Sequence, residues 1–236
     1  MAIQFTKMSG SGNDFIIIDN RVPVIDDDKK VDFVRRVCDR KMSIGADGVI
    51  FVENKIAPEE LTLETLAGII GAKVDGANVK VKLTSPENLR QDIDVDLNGT
   101  HFQIDSLNTG VPHAIIYSDD VEAVNVKDVG NGIRFHDKFA PAGTNVDFVQ
   151  KVGDHALKVR TYERGVENET LACGTGVVAS VLLSSYKNLV QPPVNVETRG
   201  GEFLKVDFHP SNGGPVKDVY LEGLTRIAFE GTLAEY

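Results

Sequence analysis

The chain has 236 residues, 42% hydrophobic and 25% charged, an ordinary globular composition that excludes disorder. Lysine and arginine number 25 against 35 acids, so a formal net charge of -10 argues against nucleic acid or membrane as a partner. Two cysteines, Cys38 and Cys173, make no disulfide framework, and no apolar run approaches the roughly 18 residues of a membrane helix.

The opening Met1–Lys7 lacks the layout of a secretory leader, so the expected location is the cytoplasm. Ile3–Met8 reads as the first strand, followed by the turn Ser9-Gly10-Ser11-Gly12-Asn13. Phe15–Ile18 is continuously apolar, which suits a strand buried on both faces. Asp26-Asp27-Asp28 supplies the acidic start of a helix whose apolar stripe is Val31, Val34, Val37 and Cys38. Cys38 therefore reads as a core residue. Val49–Val52 is a further strand.

Beyond it the pattern is strongly β, with strands at Leu61–Thr65, Val79–Leu83, Phe102–Leu107, Ala114–Ser118 and Leu157–Tyr162. Short Gly, Asn and Asp turns separate them, which predicts antiparallel sheet. One helix interrupts, from about Thr175 to Tyr186, apolar nearly all round and so enclosed by sheet. Two weak echoes point to related halves meeting near residue 110. Leu61–Gly68 resembles Val194–Gly201, and Gly12-Asn13-Asp14-Phe15 resembles Gly143–Phe148.

The stretch from Tyr162-Glu163-Arg164-Gly165 to Cys173-Gly174-Thr175-Gly176 carries the chemistry. Cys173 opens the enclosed helix, where unpaired N–H groups favour negative charge and are expected to lower a thiol pKa. The neighbouring glycines let N–H groups approach a carboxylate. Glu163 and Arg164 suit the ammonium and carboxylate of an amino acid, with Gly165 permitting the bend that brings both to one side. His113 follows a turn and could share a proton with an acid. The other histidines form no metal-like spacing with the cysteines, so no metal is expected, and no phosphate or dinucleotide loop is present.

Six motifs, in order, resemble the diaminopimelate epimerase family. They are Gly10–Phe15, Ile44–Gly48, Glu64–Gly68, Asn108–His113, Gly143–Phe148 and the block Glu163–Gly176. The resemblance implies an α/β (α+β) fold of two similar halves, each a curved, mainly antiparallel sheet around a central helix. The active site would lie in the cleft between them. The halves are expected at residues 1–109 plus 227–236, with Ile227–Gly231 as the returning strand, and at 110–226. It also implies cofactor-free interconversion of L,L- and meso-diaminopimelate by two cysteines on opposite faces of the α-carbon.

By resemblance, Cys173 is one of that pair. Gly174 and Thr175 offer N–H groups to the α-carboxylate, and Glu163 takes the ammonium. Arg164, Asn145 and Asn13 hold the distal end or line the cleft, with His113 near Glu163. Homodimers are suggested. The chain departs from the family in one place. The segment that opens the first half's central helix, with the other cysteine, is absent, and Glu53 runs directly into Asn54. A core-sized cavity is expected there. Two other readings stand beside the epimerase: an inactive relative that only binds an amino acid, and another cofactor-independent racemase.

Overall fold

A computed structural model describes residues 2–10, 12–53, 60–65, 68–210 and 216–234. In chain order the first elements are β1 (Ile3–Gly10), β2 (Asn13–Asp19), α1 (Lys30–Val37), β3 (Gly48–Val52), β4 (Glu60–Thr65), β5 (Gly68–Asp75) and β6 (Asn78–Lys82). Next come β7 (Glu87–Leu97), β8 (Thr100–Asn108), β9 (Pro112–Tyr117), α2 (Val126–Arg134), β10 (Asn145–Gly153), β11 (Ala156–Glu163) and β12 (Asn168–Thr170). The last are α3 (Gly174–Tyr186), β13 (Val194–Thr198), β14 (Phe203–His209), β15 (Lys217–Leu224) and β16 (Arg226–Leu233).

These strands form two sheets. One has the order β16-β1-β2-β3; the other runs β4-β5-β6-β15-β14-β13-β11-β10-β9-β8-β7, with β12 paired to β11. Most pairs are antiparallel, as expected, but β2–β3, β9–β10 and β11–β13 are parallel. Parallel neighbours need a crossover, and α1, α2 and α3 supply one each. The residue-110 turn joins β8 to β9, which pair within the second sheet.

The strand orders reveal the repeat. The run β16-β1-β2-β3, with α1 crossing from β2 to β3, matches β7-β8-β9-β10, with α2 crossing from β9 to β10. The meander β4-β5-β6 matches β13-β14-β15, and the two meanders meet where Val81 pairs with Leu221. The echo between Leu61 and Val194 therefore aligns equivalent strands. The echo between Gly12 and Gly143 does not, since β2 corresponds to β9 rather than β10. Between β10 and β13 the chain builds β11, β12 and α3. Between β3 and β4 the equivalent stretch is only residues 53–59.

The helix α3 is enclosed as its composition predicts, with every residue from Gly176 to Ser184 buried. It packs on Leu107, Ile115, Val149, Leu157 and Val159 of one sheet face. The opposite face of the same strands presents Ala114, Ile116, Val146, Phe148 and Tyr162 to α2. Gly130 of α2 lies directly on Tyr162, where an added Cβ would stand 2.5 Å from the tyrosine Cβ.

Among the described residues, the first sheet is covered on one face only. Ile3, Ile16 and Ile18 pack against Phe33 and Val37 of α1. Val31 lies outside this stripe at 60% exposure, because the buried face of α1 is Phe33 and Val37, four residues apart. Cys38 caps α1 and packs at the edge of this core. The other face carries an open groove of about 370 Å³ lined by Thr6, Ile17, Val52 and their polar neighbours. Ile50, on the same face, is 41% exposed. The expected buried cavity is therefore an open groove on the sheet.

Candidate active site

The site forms where one face of β9, β10 and β11 meets the start of α3. His113 is paired with Asn145 across the parallel ladder, and Asp147 is opposite Thr161 across the antiparallel one. With a period of two, His113, Asn145, Asp147, Thr161 and Glu163 share a face. That face turns from apolar to polar where it reaches the helix N-terminus.

Cys173 is the N-cap of α3, in extended conformation, with its sulfur 3.4 Å from Thr175 Oγ1. Thr175 Oγ1 is 3.0 Å from His113 Nε2, and His113 Nδ1 is 2.7 Å from Asp147 Oδ2. His113 and Asp147 are completely buried. The second carboxylate oxygen of Asp147 accepts a 2.6 Å hydrogen bond from the Thr161 hydroxyl. A side chain at Gly176 would collide with this group, its Cβ falling 2.2 Å from Asp147 Oδ1. The glycine lets the carboxylate reach the first turn of the helix, where the macrodipole favours its charge.

The other expected residues gather around this line. Asn145 Nδ2 is 3.4 Å from His113 Nε2, and Asn145 Oδ1 accepts the Arg164 N–H at 2.8 Å. Gly165, at φ 94°, makes the bend after β11. The Arg164 guanidinium donates to the Ala142 carbonyl at 3.2 Å and remains accessible. Glu163 accepts a 2.9 Å hydrogen bond from Thr170 and bears electrostatically on Cys173. Gly174 abuts Leu221.

Asn13, exposed at the start of β2, belongs to the first sheet. Its neighbour Gly12, at φ 83°, lies so close to the segment before Cys173 that a Cβ there would be 2.8 Å from Leu171 Cβ. Gly200 donates its N–H to the Leu171 carbonyl at 2.8 Å from the other side. Among the described residues, the motif Glu64–Gly68 is incomplete, and its side chains are not placed.

One expectation is reversed. The helix start is expected to lower the Cys173 pKa, yet burial, with the carboxylates of Asp147 and Glu163, pushes the thiol up to about 12. The Thr175 hydroxyl and the Gly176 N–H pull the other way without overcoming this. Cys173 at rest is a neutral thiol. Burial likewise raises the Cys38 thiol. Asp147 was missed as a site residue although it lies in the motif Gly143–Phe148, because an acid between valine and phenylalanine in a strand shows no role by spacing alone. The useful signal was its pairing of an acid with a strand that would be buried on both faces.

A sequence profile described as diaminopimelate epimerase matches residues 106–217. The diaminopimelate epimerase of Aquifex aeolicus (strain VF5) is 40% identical, with 99% of this chain and 98% of the relative covered. That of Hydrogenobaculum sp. (strain Y04AAS1) is 37% identical over 97% of this chain and 98% of its own. The Aquifex alignment runs over 279 positions, so a chain of 236 residues leaves at least 43 of them unmatched. In fold, the chain resembles a probable proline racemase from Agrobacterium radiobacter K84, with a TM-score of 0.69 at 15% identity, covering 99% of this chain and 93% of that one. It also resembles a phenazine biosynthesis protein of the PhzF family from Enterococcus faecalis, with a TM-score of 0.67 at 13% identity and full coverage of both. Identity and coverage among the curated relatives make this chain a member of the diaminopimelate epimerase family.

Proposed function

We propose that this chain moves the α-proton of diaminopimelate at one face of the carbon, with Cys173 as the acid–base group. The observation that carries this reading is the position of Cys173, at the start of a buried helix and in line with Thr175 and His113. The first N–H groups of α3, at Gly174 and Thr175, have no partner within the helix and suit the α-carboxylate. Glu163 takes the ammonium, and Arg164, Asn145 and Asn13 take the distal amine and carboxylate. The diamino diacid as substrate, the cytoplasmic location and assembly as a homodimer belong to the same proposal.

Inversion needs a second acid–base group on the opposite face, because a single base tends to return the proton to the side it left. Cys38 cannot provide it, since it closes α1 and packs against the core of the first sheet. We place the unmatched positions of the relatives between β3 and β4, where, among the described residues, the repeat has no counterpart of β11, β12 and α3. The full interconversion of L,L and meso forms then needs a segment that this chain does not carry.

Incubation with L,L-diaminopimelate in D2O tests this. Deuterium should appear at the α-carbon while the L,L form is retained. Accumulation of deuterated meso product would show a second acid–base group and overturn the one-face reading. Calorimetric binding without exchange would favour the binding-only relative instead. Exchange of an amino acid lacking the distal groups at an equal rate would point to a different racemase.

A further inference from the structure

We propose that Cys173 passes its proton through the Thr175 hydroxyl to His113, and that buried Asp147 is the positioning residue that readies the imidazole to take it. This rests on the reading of Cys173 as the acid–base group. The line takes its direction from Asn145. Asn145 Oδ1 is engaged by the Arg164 N–H, which turns the amide nitrogen toward His113 Nε2. The Thr175 hydroxyl faces the same nitrogen. The Asn145 amide nitrogen can only donate, so the lone pair is assigned to Nε2 and the ring proton to Nδ1. Asp147 Oδ2, at 2.7 Å, accepts that proton's hydrogen bond.

With Nε2 as acceptor, the Thr175 hydroxyl donates to it and can accept from the Cys173 S–H. Transfer breaks the S–H bond and forms a Thr175 O–H bond. In the same step the original Thr175 proton bonds to Nε2. The products are a thiolate and an imidazolium, with no change in net charge. Asp147, held by the Thr161 hydroxyl and by the start of α3, faces the imidazolium directly at Nδ1.

The charged groups that bear on Cys173 are Asp147 and Glu163, and both oppose a thiolate by their bare charge. Asp147 therefore acts on Cys173 in two opposed ways. As a charge it disfavours the thiolate; through His113 it favours it. Removal of the charge separates the two by sign, which makes the proposal easy to break.

The experiment is alkylation of Cys173 by iodoacetamide between about pH 6 and 9, read by peptide mass spectrometry. Cys38, outside the line, is the internal reference in each digest. Asp147→Asn should slow Cys173 alkylation at neutral pH by about tenfold relative to Cys38. Thr175→Val should act in the same direction, and Thr175→Ser should restore the rate to within about twofold of the unsubstituted chain. An unchanged or faster rate in Asp147→Asn would show only the bare charge at work and overturn the proposal. Should a substitution unfold the chain, the nitrogen spectrum of unsubstituted His113 decides. A proton on Nδ1 is expected, and one on Nε2 refutes the line. Neither measurement needs substrate. A chain that alkylates as expected but exchanges no α-proton would disprove the function and leave the relay standing. A chain with the reverse behaviour would do the opposite.

Discussion

The two sheets of this protein start from the same strand order and end in different states. On β9 to β11 both faces are covered, by α2 on one side and α3 on the other. On β1 to β3, among the described residues, only α1 covers the sheet, and the second face is an open groove. The strands themselves formed in both places. A sheet with one apolar face covered is enough to hold register, because slippage would bring Ile16 and Ile18 out of their core. What the uncovered half lacks is a place to fix a reactive group. A helix start inside a sheet supplies unpaired N–H groups, a dry wall and a defined angle, and all three are met at Cys173.

Four predictions put that contrast under strain. The largest effect is on chemistry. Cys173→Ala should lower α-proton exchange by about a thousandfold or more, whereas Cys38→Ala should leave it within about twofold. Equal losses in the two variants, measured by deuterium uptake, would break the distinction between the halves. Next comes packing. Leu182→Ala should cost roughly 3 kcal/mol in urea unfolding, since the site is enclosed on all sides. Ile50→Thr, on the open face, should change stability by less than about 0.5 kcal/mol. A large loss at Ile50 would mean that the face is covered in solution.

The third prediction concerns the joint between the halves. Gly12→Ala meets both a left-handed backbone angle and Leu171 at 2.8 Å, so it should cost about 1–2 kcal/mol and weaken exchange. A neutral result would show that the contact with Leu171 is not maintained. The smallest effect is acidic. Arg40 and Lys7 beside Asp14 hold its carboxyl well below the usual carboxylate range. Its folded pKa is lower than its unfolded one, so the stabilisation is present above the ordinary carboxylate pKa. It is lost as pH falls from about 4 toward the folded value. Amide exchange on β1 to β3 should therefore quicken in that window before exchange on α3. Uniform quickening would reject a separate weakness in the first sheet.

How much of this the sequence carried depended on the element. The helix α3 was plain because Val177, Val178, Val181, Leu182 and Leu183 leave no polar face, and its start was plain from glycines around Thr175. The helix α2 was not, because Gly130 and Gly132 sit in its interior, where propensity argues against a helix. Tertiary contact decides there, since Gly130 is needed against Tyr162 and Gly132 against Leu97. The stripe on α1 was misjudged at Val31 because apolarity alone was counted, while Phe33 and Val37 carry the contact. Strand β7 was hidden by its charges and by two register shifts before Ile93. At the site, Cys173, Thr175, His113 and Asn145 lie in one line of contacts, with Glu163 bearing on Cys173. Asp147 and the direction of the thiol pKa were not legible, for both depend on which side chains are buried against one another, and spacing does not report burial.

Leu171, two residues before Cys173, lies against Gly12 of the first sheet and accepts the Gly200 N–H at its carbonyl. This contact makes the reactive cysteine a listener to a part of the protein that has no chemistry of its own. A displacement of the first sheet at Gly12 therefore meets the segment that leads into Cys173.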